Sequence, residues 1–473
     1  MRHYSVFFLA LLYSFSLPHM LKGWKGGSAM KVQSMKRQAL ITAMGSALVR
    51  GMGFVMRLTV SRMLGPEAMG IMELSSSAHM LLVTPAASGL PGAVSRLSAR
   101  AKEEDRSSIL AAGRQLAGMM SGLLIPVFLL FSPWIARLLG DVRTLPSLWL
   151  MAPSVLFIGL SSVYDGYFYG CGNAWAPMLS ELGEQVIRLL TVLVLFLLPA
   201  LSLPWRAAVP ALSTTMGEGM GLMVVMLMAG GAAKAVQRPG LSVLRRRLFR
   251  LSLPLMLSRL SHTGLRALCG VIIPLRLMAA GLMQSEAVSR MGMMNGMVMP
   301  LMFLPGLVTG ALATVGGPAM AKCKRKGQQR RLILRLLLPG AAWGAACSGI
   351  LYLAAPLIAW KFYRLPELAG LIRALCPMAA LLSIQQVAGG MMTGLGLQKK
   401  ALGASLLGAA ATLLCTWLWT ARPGLHIYGA GYAAMAGHGL GLTATLIYLI
   451  SHTWGRDAAG NDCTQYSQAK AAS

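Results

Sequence analysis

An all-α polytopic membrane protein, with about twelve transmembrane helices in two pseudo-symmetric six-helix lobes around a central cavity, is what this sequence predicts. Three observations carry the prediction. Hydrophobic residues make up 56% of the chain and charged residues 12%, and apolar runs of about 20 residues, the length a helix needs to cross the hydrocarbon core, recur from end to end. Lys and Arg gather in alternate connections between those runs, as the positive-inside rule expects. Finally, two stretches look like copies of each other: Arg50-Gly-Met-Gly-Phe-Val-Met-Arg57 and Arg259-Leu-Ser-His-Thr-Gly-Leu-Arg266. A barrel is excluded because the runs are unbroken where strands would alternate apolar and polar residues.

Taken in order, residues 1–35 read as an N-terminal extension. Val6 to Leu21 is apolar but short for a span, and Gly27-Ser28-Ala29 resembles a signal-peptidase site. Cleavage there would put Lys31, Lys36 and Arg37 outside the cell, against the orientation of everything downstream, so an over-extended start with the working protein beginning near Met30 or Met35 is the expectation. Spans then fall at roughly 38–63, 68–95, 109–133, 146–170, 175–200 and 208–230, the first lobe covering residues 36–232. A basic linker, 233–250, precedes the second lobe, 251–452, with spans at roughly 251–277, 287–318, 332–356, 368–393, 401–420 and 428–451. A polar tail, 453–473, ends the chain.

The connections divide by charge. One side holds Arg96, Arg100, Lys102 and Arg106, then Lys234, Arg238 and Arg245-Arg246-Arg247, then the cluster from Lys322 to Arg331, and finally Lys399-Lys400. The alternate loops hold scattered single residues such as Arg62, Arg143, Arg206, Arg276 and Arg364. Both termini are therefore expected in the cytoplasm of a bacterial plasma-membrane protein. The net charge of +29 has this topological origin and calls for no nucleic-acid partner. Anionic lipid headgroups are the expected neighbours of the basic loops, and the linker reads either as an amphipathic surface helix beside them or as plain positive-inside signal. The seven Cys have no CxxC and no His at ligand spacing, so neither a metal site nor a disulfide frame is expected. No Walker motif, nucleophile elbow or HExxH appears, and no cofactor or enzymatic activity is expected.

Candidate binding residues follow from the cost of charge at membrane depth. Seven helical residues fall about 20° short of two turns, so each arginine pair lies on one face, about 10 Å apart. A central Arg costs about 2.5–3.5 kcal/mol on insertion scales. Four of them, Arg50, Arg57, Arg259 and Arg266, imply a use: the guanidinium fork matches phosphate oxygens, and together they would line a cavity for an anionic headgroup. Snorkelling to an interface or pairing with buried acids is the competing explanation. The acids within spans are Glu73, Asp165, Glu181, Glu184 and Glu218, which would bind a coupling cation or proton, or act as counter-charges. Glu184 and Arg188, one turn apart, suit a local ion pair. His79, His262 and His438 have no partner at metal spacing; His262 borders the arginine face, although a packed, satisfied ring is the simpler expectation. The Met-rich runs Met216–Met228 and Met291–Met302 suit an isoprenoid groove or ordinary bundle packing.

Three further motifs carry a family resemblance. Gly89-Leu-Pro-Gly-Ala-Val-Ser-Arg-Leu-Ser-Ala99, Gly166-Tyr-Phe-Tyr-Gly170 running on to Glu184-Gln-Val-Ile-Arg188, and Gly292-Met-Met-Asn-Gly-Met-Val-Met-Pro-Leu-Met-Phe-Leu-Pro305 resemble the stage V sporulation protein B family. That family is part of the multidrug/oligosaccharidyl-lipid/polysaccharide exporter superfamily of flippases and is related to the lipid II flippases. The resemblance runs from about residue 36 to 450. It implies a flippase that moves a polyprenyl-pyrophosphate-linked sugar precursor from the inner to the outer leaflet for peptidoglycan, spore-cortex or polysaccharide synthesis. It also implies alternating access between two lobes, with cell-wall synthases as possible partners. Arg50 matches an arginine that relatives place in their central cavity. The lipid II flippases carry another cavity arginine in the eighth span, where this chain has Met299-Pro300, so the anion-binding set is not theirs residue for residue. Lys322 is a second departure, at a position more often acidic or small in this family. Two alternatives stand beside the flippase: a multidrug/cation antiporter of the same superfamily, whose cavity should be acidic, and a non-transporting membrane scaffold that recruits cell-wall synthases through its basic loops.

Overall fold

The structure, a computed structural model, describes residues 35–197, 201–230, 240–323, 325–422 and 424–454. The N-terminal extension, most of the linker's first half and nearly all of the polar tail lie outside the described residues. The chain separates into two units, Met1–Thr42 and Ala43–Ser473. Of the first, residues 35–42 form the opening turns of helix α1; all other described residues belong to the second.

All regular structure among the described residues is helical. The first half of the chain comprises α1 (Met35–Leu64), α2 (Pro66–Ala87), α3 (Leu90–Arg100), α4 (Glu103–Leu138), α5 (Leu145–Met151), α6 (Ser154–Gly170), α7 (Trp175–Leu195) and α8 (Leu203–Ala229). The second begins with α9 (Leu241–Ala279) and α10 (Gln284–Met291), which runs through a π-helical segment (Gly292–Val298) into α11 (Met299–Met302). Then come α12 (Gly306–Lys322), α13 (Lys326–Leu357), α14 (Leu368–Leu375), α15 (Pro377–Gly394), α16 (Gln398–Trp419) and α17 (His426–Trp454). Glycines mark two of the sharpest breaks. Gly65, at φ 79°, makes the one-residue turn from α1 to α2, where Pro66 opens the new helix. Gly89, at φ 91°, breaks α2 from α3 and lets the chain approach α9, where a Cβ would stand 2.5 Å from the Ser252 carbonyl oxygen.

Among the described residues, five helices are long and apolar enough to cross a membrane: α4, α8, α13 with its continuation to Tyr363, α16 and α17. Three bent pairs, angled by 41° to 54°, raise the number to as many as eight. The twelve expected spans therefore exceed what length and composition support in the structure. The shortfall falls on α1, α2, α7 and α9, and its cause is their content of charge, hydroxyl and glycine. Arg50 and Arg57 sit in α1, Glu73 and Ser75-Ser76-Ser77 in α2, Glu181, Glu184 and Arg188 in α7, Arg259 and Arg266 in α9. These helices also hold most of the candidate site residues.

The buried core explains how the halves meet. At the end where the arginine-poor loops lie, one apolar cluster joins Leu64, Met69 and Ile71 of the first half to Met291, Met294, Leu368 and Ile427 of the second. Close approach there needs small residues. A Cβ on Gly292 would stand 2.0 Å from the Pro66 carbonyl oxygen, and one on Gly70 2.1 Å from that of Val288. At the opposite, basic end there are two separate clusters: Leu90, Val94, Leu110 and Phe168 of the first half together with Leu248 of α9, and Met320, Ile333 and Met391 of α12, α13 and α15. The described part of the linker, 241–250, does not form a separate surface helix. It is the start of α9, and its Leu248 is buried in the core of the first half.

Candidate functional site

Between the two halves lies a cavity of about 940 Å³. Its walls come from α1, α2, α9, the π segment, α12, α15, α16 and α17. Arg50, Arg57 and Arg266 stand on it, as does Glu73. Arg259 does not. It lies further toward the basic end of α9, where that helix leans on α3 through the Gly89–Ser252 approach.

The three cavity arginines differ in their neighbours. Arg57 donates through Nη2 to the Glu73 carboxylate on α2 and to the Asn295 carbonyl oxygen of the π segment, the latter at 3.1 Å. The wider π turn leaves carbonyls imperfectly paired within the helix, which suits Asn295 to accept from outside. Arg57 therefore ties α1 to both halves of the chain and is already neutralised. Arg50 and Arg266 make no ion pair among the described residues. Arg50 lies against α12, where a Cβ on Gly310 would stand 2.8 Å from its Nη1. Its helix rests beside α7, with Gly45 facing Met178 and Gly53 facing Gln185. Arg266 follows His262 on α9, and both line the cavity.

Of the five candidate acids, Glu73 alone reaches the cavity, as the counter-charge to Arg57. Glu184 and Glu218 both accept from Arg188, forming a three-residue network across α7 and α8 inside the first half, with the Glu218 contact at 2.5 Å. The expected Glu184–Arg188 pair is thus present, with Glu218 added to it. Asp165 on α6 and Glu181 on α7 lie off the cavity wall; Asp165 has one carboxylate oxygen buried without a hydrogen-bond partner. His79 is buried and bonds Ser154 Oγ at 2.7 Å. No group of three or more His, Cys, Asp or Glu among the described residues is arranged to hold a metal ion.

Sequence reasoning singled out His438 only as a histidine without metal-ligand spacing and passed over the uncharged polar wall it belongs to. Gln385 and Gln386 on α15, Thr412 on α16 and His438 on α17 all line the cavity. The signal was present: two adjacent glutamines inside a span are costly unless hydrogen-bonded. His438 donates from Nδ1 to Gln385 Oε1 at 2.9 Å, and Thr309 donates to Gln386 Oε1 at 2.7 Å. The Met299-Pro300 pair, where relatives were expected to carry an arginine, also faces the cavity, and it does so as an apolar surface.

Comparison with known proteins places this geometry. The family model described as polysaccharide biosynthesis protein matches residues 35–324. Stage V sporulation protein B of Bacillus subtilis (strain 168) is 28% identical over 427 residues, covering 86% of this chain and 82% of that protein. Among solved structures, the inward-facing conformation of a multidrug resistance MATE family transporter of the MOP superfamily superposes with a TM-score of 0.69 at 16% identity. The match covers 87% of this chain and all of that one. The lipid II flippase MurJ in its inward closed conformation also reaches 0.69, at 12% identity and 87% coverage of each chain. The fold is that of these membrane transporters.

Proposed function

We propose that this chain, which belongs to the polysaccharide biosynthesis protein family, is a membrane flippase that carries a polyprenyl-diphosphate-linked sugar from the inner to the outer leaflet. The observation that carries the reading is the pair Arg50 and Arg266. They come from different helices, line the same cavity and make no salt bridge among the described residues. Fixed guanidinium groups not held in a salt bridge are costly among apolar helices and favour an anionic ligand. A diphosphate supplies oxygens matched to the guanidinium fork. The one cavity acid is engaged by Arg57, so the wall stays net positive, which disfavours the cation antiporter. Transport of a cationic dye against its gradient by purified protein would overturn that choice.

The arrangement of the cores supports alternating access. The halves share a core at the arginine-poor end, whereas at the basic end α9 joins the first half's cluster and α12, α13, α15 and α17 pack in a separate one. With the basic loops in the cytoplasm, this state is shut toward the outside, and rocking of the halves would reverse it. Both termini are cytoplasmic on this reading. The driving force is membrane potential or an ion gradient, with Asp165 and Glu181 as the candidate acids that make no salt bridge among the described residues. The reading involves no bond-making step and hence no enzyme. Its test is a precursor-accessibility assay in reconstituted vesicles. Arg50→Ala and Arg266→Ala should each slow flipping by one to two orders of magnitude, since a hydrogen bond to a charged group contributes about 1.5–3 kcal/mol. Unchanged flipping in both variants would remove the cavity assignment.

A further inference from the structure

The cavity is chemically lopsided. On the side of the first half, its polar groups are Arg50, the Arg57–Glu73 pair and Ser77, whose hydroxyl donates back to the Glu73 carbonyl oxygen at 2.9 Å. On the side of the second half, beside Arg266 and His262, stands a shelf of uncharged amide, imidazole and hydroxyl groups from three helices. Gln386 accepts from Thr309 through Oε1, which turns its Nε2 donor toward α12; a Cβ on Gly310 would stand 3.0 Å from that nitrogen and 2.8 Å from Arg50 Nη1. The amide donor and the free cation therefore converge on one patch of glycine backbone. His438 donates from Nδ1 to Gln385, which leaves Nε2 of the neutral ring as an acceptor. Thr412 donates to Gly408 at 3.0 Å, so its oxygen keeps acceptor capacity.

From this juxtaposition we propose that the second-half shelf of Gln386, His438 and Thr412 is a saccharide subsite. On the flippase reading above, the first sugar of the precursor lies over α15 and α17 while its diphosphate is held by Arg50 and Arg266. Sugar hydroxyls both donate and accept, and a set of neutral donors and acceptors matches them without the desolvation cost of another buried charge. Gly310 is what permits the arrangement. With no side chain there, the ligand can meet the Arg50 cation and the Gln386 amide together, as the bond between diphosphate and first sugar requires. The same polar groups also join α12, α15 and α17 to one another, so a purely structural role must be separated by experiment.

The test is equilibrium binding to the purified full-length protein in lipid nanodiscs, with two probes: bare polyprenyl diphosphate, and polyprenyl diphosphate carrying one N-acetylhexosamine. The wild type should bind the sugar-bearing lipid more tightly. Gln386→Leu and, on a separate helix, His438→Leu should each lower affinity for the sugar-bearing lipid by about 3–10-fold, the worth of one net hydrogen bond, and leave the bare lipid unchanged. Arg50→Ala should weaken both. An equal loss for both lipids in Gln386→Leu and His438→Leu would mean a structural role and overturn the subsite. Equal affinity of the wild type for the two lipids, with Arg50→Ala still weakening both, would overturn the subsite and leave the flippase reading standing. Insensitivity of both lipids to Arg50→Ala would overturn the flippase reading and the subsite with it.

Discussion

Helices α1 and α9 carry the same arginine spacing and put different members of the pair to work. In α1 both arginines reach the cavity, and the second, Arg57, is tied to Glu73 and to the Asn295 carbonyl. In α9 the second, Arg266, reaches the cavity and the first, Arg259, does not. On the proposed function, the two cations left for a ligand are Arg50 and Arg266, which are not equivalent positions of the repeat. A repeated sequence fixes where helical turns fall relative to one another. What a charge does there is set by the side chains within its reach: Arg57 of α1 meets Glu73 on α2, whereas α9 packs on the same α2 one turn further along, at Ser77, and Arg266 makes no salt bridge among the described residues.

The largest expected effect tests the division of labour within α1. Arg50→Gln should lower affinity for polyprenyl diphosphate by about 30–100-fold, the loss of a charged hydrogen-bonding partner of about 2–3 kcal/mol. Arg57→Gln should change it by less than about 3-fold, because its charge is already compensated. Binding isotherms for the two variants decide the matter, and equal losses would return Arg57 to the ligand.

Next in size is the contact that positions the partner of Arg57. A methyl on Gly292 would overlap the Pro66 carbonyl oxygen, and backbone cannot move aside as a flexible side chain can. Gly292→Ala should therefore destabilise the closed end by about 1–3 kcal/mol, the usual range for overpacking, seen as a lower thermal midpoint. Gly92→Ala is the control, since nothing lies within 4 Å of a Cβ there. An unshifted midpoint in Gly292→Ala would mean the halves do not depend on that approach.

The Arg57–Glu73 pair is smaller again, because Arg57 is 38% exposed and Glu73 16%. A double-mutant cycle with Arg57→Met and Glu73→Met should show a coupling of about 1–2 kcal/mol in thermal unfolding, below the 3–5 kcal/mol of a fully buried pair broken on one side. Glu73→Met alone should be the worst of the three, since it strands a cation. Additive single effects would mean that Arg57 is held by Asn295 and not by the acid.

The all-α class, the two arginine-bearing helices and the Glu184–Arg188 pair were legible in the sequence because each is a local pattern of period 3.6. The spans around 68–95, 146–170, 287–318 and 368–393 were legible as apolar length, whereas their breaks at Gly89, Pro153, Phe303 to Pro305 and Cys376 were not, since glycine and proline also occur inside straight membrane helices. The pairing of Arg57 with Glu73 joins residues 16 apart on different helices, and no periodicity reports it. The polar wall was missed for a different reason. Gln385 and Gln386 look like glue between helices until Arg50 is placed beside them, and that neighbour is brought from 336 residues away by the fold.

Arg259→Ala is expected to have the smallest effect and bears most directly on the comparison. The repeat aligns Arg259 with Arg50, so if internal symmetry governed the site, its loss would rival that of Arg50. The structure gives it an exposed place away from the cavity wall, on the stretch of α9 that leans toward α3. An exposed arginine near the basic end loses little on truncation, within about 0.5 kcal/mol. Binding of polyprenyl diphosphate and the thermal midpoint should both stay near wild type, and flipping should fall less than about 2-fold. A loss comparable to that of Arg50→Gln would mean that Arg259 enters the cavity when the halves rock. The four arginines would then serve in turn, Arg50 and Arg266 in one state and the symmetric pair in the other.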